Sequence, residues 1–291
     1  MTILENLNNK ENIILDSSNN NLCYQFSEIK SNYGLLDNSI DATYIIHLEN
    51  DHLRLLNIKN QLEMYIPTKI IYILYNKGYK KCKKNKIKNP SEDLIDSYLQ
   101  IFKHAKDRNY NNILILEDDF IFNESIYKKK VNNKINLFIN NLDNIFIYYL
   151  GCVPYIQIPV DFNHNKIILA GTTHACIYSK KIRDIILKIN KSIIIDWDIF
   201  LNTQNFINRY TYWKPLCYQL FPETENSKNE KQIPIITNFK NSIKKYLNMD
   251  KQTEPGYTLF YITSNLLLYI IIILIMMILY FITPFQPFIG M

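Results

Sequence analysis

Apolar and polar residues follow one another along this chain in blocks whose lengths suit strands and helices in turn. Residues 43–48 (TYIIHL) have the density of a buried strand, residues 51–65 space Leu53, Leu56 and Met64 for the inner face of a helix, and residues 69–74 supply a second strand. That succession is a β-α-β opening. Ser91, Glu92 and Asp93 start a helix that runs to about Lys106 and delivers the chain to a strand at 113–116. Further on, 144–150 and 166–169 have strand character, 180–191 helical character, and 192–195 the look of a strand closing on Asp196. The alternation predicts an α/β fold, a mostly parallel sheet with helices on both faces. In such sheets ligands gather beyond the carboxyl ends of the strands.

The longest apolar block is the last one. Residues 266–282 (LLLYIIIILIMMILYFI) carry no charge and are extended upstream by 257–262 (YTLFYI), which is long enough to cross a bilayer. Tyr257, Tyr261, Tyr280 and Phe281 near its ends suit the interfacial aromatic belts, and Pro284 and Pro287 stop the helix. A single C-terminal transmembrane helix is therefore expected. Lys244, Lys245 and Lys251 precede it and no charged side chain follows, which places the bulk of the protein on the cytosolic side. Residues 1–21 lack the apolar core of a signal peptide. The expected organisation is an N-terminal extension at 1–40, an α/β domain at 41–245, a linker at 246–256, the membrane helix at 257–283 and a tail at 284–291.

Composition changes this picture little. A chain of 291 residues, 47% apolar, can bury one large core or two smaller ones. Its formal charge of +6 is concentrated at 77–88 (KGYKKCKKNKIK), where Tyr79 is the one aromatic, so a solvated loop is expected and no nucleic-acid partner. The five cysteines, Cys23, Cys82, Cys152, Cys176 and Cys217, are odd in number and never in C-x-x-C spacing. Neither a disulfide framework nor a zinc site follows, and unpaired thiols agree with a cytosolic head.

The candidate chemistry begins where the strand at 113–116 runs into Glu117, Asp118 and Asp119. Adjacent carboxylates repel one another, and a hard divalent cation such as Mn²⁺ or Mg²⁺ offsets that cost with oxygen ligands. Strand alternation puts Glu117 and Asp119 on one face and Asp118 on the other. Arg54, one turn into the first helix, could meet a phosphate or a uracil edge. In Gly171-Thr172-Thr173-His174 the glycine permits close approach of a ligand, and the threonines and His174 offer hydrogen bonds. In Asp196-Trp197-Asp198 a carboxylate suits proton abstraction from a hydroxyl and the indole suits stacking on a sugar ring. Taken singly, each of these also serves as a wet strand end, a surface arginine, a structural histidine or an acidic helix start.

In order, the segments resemble the family-25 glycosyltransferases, which include lipopolysaccharide-type sugar transferases and collagen hydroxylysine galactosyltransferases. Tyr44-Ile-Ile-His-Leu with Asp51 and Arg54 is similar to the family's opening strand and helix start, and Leu114-Ile-Leu-Glu-Asp-Asp to its acidic signature. Gly171-Thr-Thr-His-Ala-Cys-Ile-Tyr resembles its Gly-Thr block, Ile195-Asp-Trp-Asp its later Asp block, and Lys214-Pro-Leu-Cys-Tyr-Gln its closing Pro and Gln. The likeness spans residues 41–228. His47 stands where the family usually has Asn, and Tyr98 where a His is common.

The resemblance implies a GT-A-like, metal-dependent, inverting hexosyltransferase, with galactose or glucose moved from a nucleotide sugar, UDP-linked, to a hydroxyl on a glycan, lipid-linked glycan or protein. It implies Mn²⁺ (or Mg²⁺) on Glu117 and Asp119 or on Asp118 and Asp119, and Asp196 or Asp198 as base, Asp196 first. It implies nucleotide or sugar contacts from Arg54, His47, Gly171, Thr172, His174 and Gln219. Two other readings stand beside it: a degenerate, membrane-anchored sugar-binding or scaffold protein on the same fold, and a metal-dependent phosphoryl-transfer enzyme, for which no Walker lysine loop is present.

Overall fold

The structure, a computed structural model, describes residues 23–82, 87–142, 145–219, 242, 245–249 and 252–282. Expectations for residues 1–21, for Lys244, Lys251, Pro284 and Pro287, and for the tail at 284–291 lie outside the described residues. So does the middle of the basic stretch at 83–86.

The opening is the β-α-β unit read from the hydrophobic pattern. β1 (Tyr24–Lys30) precedes it, then come β2 (Ala42–Leu48), α1 (His52–Met64) and β3 (Ile70–Asn76). α2 (Pro90–Asp107) follows, with Pro90 in its first turn and Asn89 as its cap, whose side chain accepts the Glu92 N–H at 2.9 Å. β4 (Asn112–Glu117), β5 (Phe120–Phe122) and α3 (Lys129–Asn140) lead to two long strands, β6 (Phe146–Pro159) and β7 (His164–Ser179). Then come α4 (Lys180–Ile186), α5 (Trp197–Thr203), β8 (Asn208–Tyr212), β9 (Cys217–Gln219) and α6 (Gly256–Ile282).

Seven strands form one sheet in the order β1-β3-β2-β4-β7-β6-β8, and β5 pairs with β9 in a small second one. The centre β3-β2-β4 is parallel, as is β6 with β8, while β1 and β7 join antiparallel. Helices cover both faces, as expected. Ile95, Tyr98, Ile101 and Phe102 of α2 with Trp197 and Leu201 of α5 fill one core; Ile58 and Leu62 of α1 with Ile135 and Ile139 of α3 fill the other. The α/β architecture is thus the one the alternation predicts.

Several local expectations are corrected. Residues 24–30, within the stretch read as an extension, form an edge strand paired to β3 along its whole length. Leu53, Leu56 and Met64 lie outward, Leu53 82% exposed, because α1 packs through Ile58, Gln61 and Leu62. Residues 192–195 do not form a strand: Asn190 caps a short 3-10 turn, Lys191–Ile193, and Ile195 is 81% exposed. Cys23 and Cys82 are joined in a disulfide, which ties β1 to the loop after β3. Local spacing could not show this pairing, since it is made by two segments 59 residues apart, and the unpaired-thiol argument for a cytosolic head falls with it. Cys152, Cys176 and Cys217 are free and buried.

α6 is long and apolar enough to cross a membrane. Its first two turns nonetheless belong to the head. Tyr257, Tyr261 and Ser264 are buried, with Gln157 of β6 donating to the Tyr261 carbonyl at 2.8 Å and to Ser264 Oγ at 2.7 Å. Outward exposure begins in earnest at Leu266.

Candidate active site

The acidic turn lies where the pattern placed it, at the carboxyl end of the central parallel strand β4. Register pairs Ile46 of β2 with Glu117, so His47 and Leu48 stand level with Asp118. Asp118 is enclosed by donors. His47 Nδ1 lies 3.0 Å from its Oδ2, the Leu48 N–H donates to the same oxygen at 3.2 Å, and Arg54 Nη1 donates to Oδ1. Burial alone would push this carboxyl up, but the His47 hydrogen bond and the Arg54 charge more than offset it, and Asp118 ends below its ordinary range. Asn57, absent from the sequence reading, holds the turn by donating to the Asp118 and Phe120 carbonyls at 3.3 and 2.9 Å.

Glu117 and Asp119 face a different environment. Gln219 Nε2 sits between them, 3.4 Å from Glu117 Oε2 and 3.3 Å from each oxygen of Asp119. It arrives there because β9 pairs with β5, Gln219 opposite Phe120. The Tyr257 hydroxyl at the start of α6 donates to the Gln219 carbonyl at 2.7 Å. Tyr98 donates to Glu117 Oε1 at 3.3 Å and to the Thr173 carbonyl at 3.2 Å, so it anchors the acid itself. Arg54 Nη2 approaches Asp119 at 3.5 Å. Burial, then the charges of Asp119, Asp198 and Asp118, hold Glu117 well above the carboxylate range. Burial also pushes Asp119 up to about 7, against the opposing pull of Arg54.

The remaining candidates divide. Asp198 accepts the Thr172 N–H at 2.8 Å, and its charge bears on Glu117, so it belongs to the acidic group. Asp196, the favoured base, instead caps α5 by accepting the Ile199 N–H at 2.9 Å. Trp197 is buried and stacked on Tyr98 at 4.5 Å, so its indole is core and not a sugar platform. Gly171 offers no open approach, because a Cβ there would come within 2.9 Å of the Tyr155 hydroxyl. Thr172, inside β7, holds φ at 59°, the left-handed region that costs a β-branched residue strain. His174 is fully buried: Nε2 lies 3.3 Å from the Cys217 carbonyl, Nδ1 3.2 Å from the Thr172 hydroxyl, and burial lowers it to about 4. It is a neutral prop beneath Thr172. His47 is likewise fully buried, and its Nε2 has no hydrogen-bond partner.

Among the described residues no three His, Cys, Asp or Glu side chains converge with metal-ligand geometry. Glu117 and Asp119, bridged by a single amide and both raised chiefly by burial, form a two-carboxylate set that could hold Mg²⁺ or Mn²⁺ together with phosphate oxygens. Asp118 is already paired with Arg54 and lies 3.0 Å from His47 Nδ1.

No protein-family model matches the chain, and no curated protein matches it. Among solved structures it is similar to A197 from STIV, at 13% identity over 63% of this chain and 86% of that one, with a TM-score of 0.39. It is also similar to a glycosyltransferase involved in the glycosylation of the major capsid of PBCV-1, at 12% identity over 64% of this chain and 95% of that one, with a TM-score of 0.37. These are coarse likenesses of fold, and membership of family 25 is not among the findings.

Proposed function

We propose that this chain is a metal-dependent, inverting hexosyltransferase that takes its sugar from a nucleoside diphosphate donor, UDP-linked, and delivers it to a hydroxyl of a glycan, lipid-linked glycan or protein at a membrane. One observation carries the reading: two buried carboxyl groups with raised proton affinity, Glu117 and Asp119, share one amide at the carboxyl end of a central parallel strand. The order of motifs along the chain supports it.

In this reading Glu117 and Asp119 hold Mn²⁺ or Mg²⁺, which when bound neutralises the charge that develops on the departing diphosphate. Arg54 positions Asp118 and lends part of its charge to Asp119, so it shapes the metal side of the site more than it grips the nucleotide. Asp198 is the base. Its carboxylate, fixed by the Thr172 N–H, takes the proton of the acceptor hydroxyl as that oxygen attacks the anomeric carbon from the face opposite the diphosphate. Gln219 sets the separation of the two metal-binding acids, and Tyr98 sets the orientation of Glu117.

The test is calorimetric binding of nucleoside diphosphates and their sugars to the full chain, with and without Mn²⁺, followed by turnover of the donor that binds. Metal-dependent binding that Asp119→Asn abolishes is expected, together with an Asp198→Asn variant that binds donor normally and turns over about 10²–10⁴-fold more slowly. Absence of binding to every nucleotide would sink the reading. Binding without turnover by the wild type would favour the sugar-binding scaffold, which the two-carboxylate donor set also accommodates.

A further inference from the structure

The turn joining β6 to β7 carries an apolar tip that the protein does not bury. Phe162 is fully exposed, and Val160 and Ile158 beside it are 51% and 41% exposed. The tip is held rigidly outward. The N–H groups of Asn163 and His164 donate to Asp161 Oδ1 at 2.6 and 2.9 Å, the Val160 N–H donates to the His164 carbonyl at 2.9 Å, and the Trp213 N–H donates to the Asn163 carbonyl at 2.8 Å. Trp213, 40% exposed, flanks the tip with Lys214 Nζ 5.4 Å from its ring, and Lys134 of α3 donates to the Asn163 side chain. An apolar wedge beside an exposed indole and two amines is the composition of a bilayer interface: apolar atoms enter the acyl boundary, the indole sits among headgroups and the amines meet lipid phosphates.

The position of the tip says which surface it meets. β6 packs along the start of α6, with Tyr155 against Phe260 and Gln157 against Ser264. From Gln157 the strand continues about 10 Å to the turn at about 3.3 Å per residue. On α6 that distance equals about six to seven residues beyond Ser264 at about 1.5 Å each, within the outward-facing run that starts at Leu266. The tip and the apolar part of the helix therefore share a level.

The geometry points to the β6–β7 turn as a second membrane contact: Ile158, Val160 and Phe162 enter the bilayer surface from which α6 emerges, with Trp213, Lys134 and Lys214 at the level of anionic lipid headgroups. The inference rests on the reading of α6 as a membrane span. It makes the head a body held at two points, with the acidic site at a set height above the lipid, because Tyr257 of the same helix braces Gln219. An acceptor anchored in the lipid is then presented to Asp198 without a flexible tether.

The full chain is reconstituted into phosphatidylcholine–phosphatidylserine vesicles whose acyl chains are brominated at defined depths, and tryptophan emission is read. In a Trp213→Phe background, Phe162→Trp adds one reporter at the tip and leaves the buried Trp197 as constant background, while Leu274→Trp in a separate variant reports on α6. Shallow bromines, about 5–10 Å into the acyl boundary, should quench the Phe162→Trp signal and shift it to the blue, and both effects should weaken without phosphatidylserine. Quenching of Leu274→Trp with an unquenched, water-exposed Phe162→Trp signal would overturn the second contact alone. If neither reporter is quenched, the membrane span fails and this inference fails with it, while nucleotide binding still decides the proposed function separately.

Discussion

The two sides of the acidic turn are one residue apart and obey opposite electrostatics. On the Asp118 side a guanidinium, an imidazole and a backbone N–H converge on one carboxylate and hold its proton affinity below the ordinary range. On the Glu117 and Asp119 side the hydrogen-bond donors are a tyrosine hydroxyl and one amide, both neutral, Arg54 reaches Asp119 only at 3.5 Å, and burial leaves both acids raised. Adjacent acids in sequence thus have separate uses. Asp118 is a structural charge whose partners are already in place, and it stiffens the junction of β2, α1 and β4. Glu117 and Asp119 keep an unmet demand for positive charge, which a ligand-binding site needs and a folding core avoids.

Breaking the compensated side should have the largest effect. Arg54→Ala leaves Asp118 buried against His47, and loss of one member of a buried pair costs about 3–5 kcal/mol, with the low end expected here because Arg54 keeps 23% of its side chain exposed. Urea unfolding of the head in the full chain reads it. The double variant Arg54→Ala/Asp118→Asn should recover much of that loss by removing the stranded charge. No recovery would mean that Arg54 stabilises through packing and that Asp118 is not the structural member of the turn.

On the uncompensated side the sign reverses. Asp119 carries a proton up to about pH 7 in the folded protein, against 3.8 for an ordinary aspartate. A raised carboxyl contributes stability that is fully present below the unfolded value and is lost as pH rises through the folded one. Without divalent cations the wild type should lose stability between about pH 4 and pH 7, and Asp119→Asn, which cannot ionise, should be more stable than wild type by about 1–3 kcal/mol at pH 8 and equal to it near pH 4. Adding Mn²⁺ should reverse the ranking at pH 8, because binding to the folded state stabilises only the protein that retains the ligand. Thermal unfolding across that pH range, with chelator or with Mn²⁺, makes the measurement.

What the sequence disclosed about these two sides follows from the range of the forces involved. β2, β3, β4 and the acids after them are local patterns, and Arg54 lies one turn past a cap at Asp51, so all were legible. Strand alternation even separated Asp118 from its neighbours correctly. Tyr98 and Asn57 were not legible as site residues, because their partners lie 19 and 61 residues away and depend on how α2 and α1 pack. Gln219 was placed by resemblance, and its bridge between Glu117 and Asp119 exists only through the β5–β9 pairing. The strands β6 and β7 were read as short because their register shifts repeatedly around Gly151 and Pro154 and breaks the simple alternation. The start of α6 looked like the start of a membrane anchor because its buried side meets the head through Tyr257, Tyr261 and Ser264, residues that equally suit an interface.

The smallest effects separate positioning from capping around the same acids. Tyr98→Phe removes the hydroxyl between Glu117 and the Thr173 carbonyl but keeps the ring stacked on Trp197, so a stability cost of about 1 kcal/mol is expected. Affinity for Mn²⁺ should fall alongside, since Glu117 loses the donor that orients it; an unchanged affinity would remove Glu117 from the metal set and leave Asp119 alone. Asp196→Ala should cost about 1 kcal/mol as a lost helix cap, whereas Asp196→Asn, whose amide oxygen can accept the same Ile199 N–H, should cost almost nothing in stability or turnover. A large loss of turnover in Asp196→Asn with donor binding intact would return the base to Asp196 and reduce Asp198 to a brace for Thr172. The cap and the base can be told apart in this way because asparagine preserves a hydrogen bond and cannot take a proton.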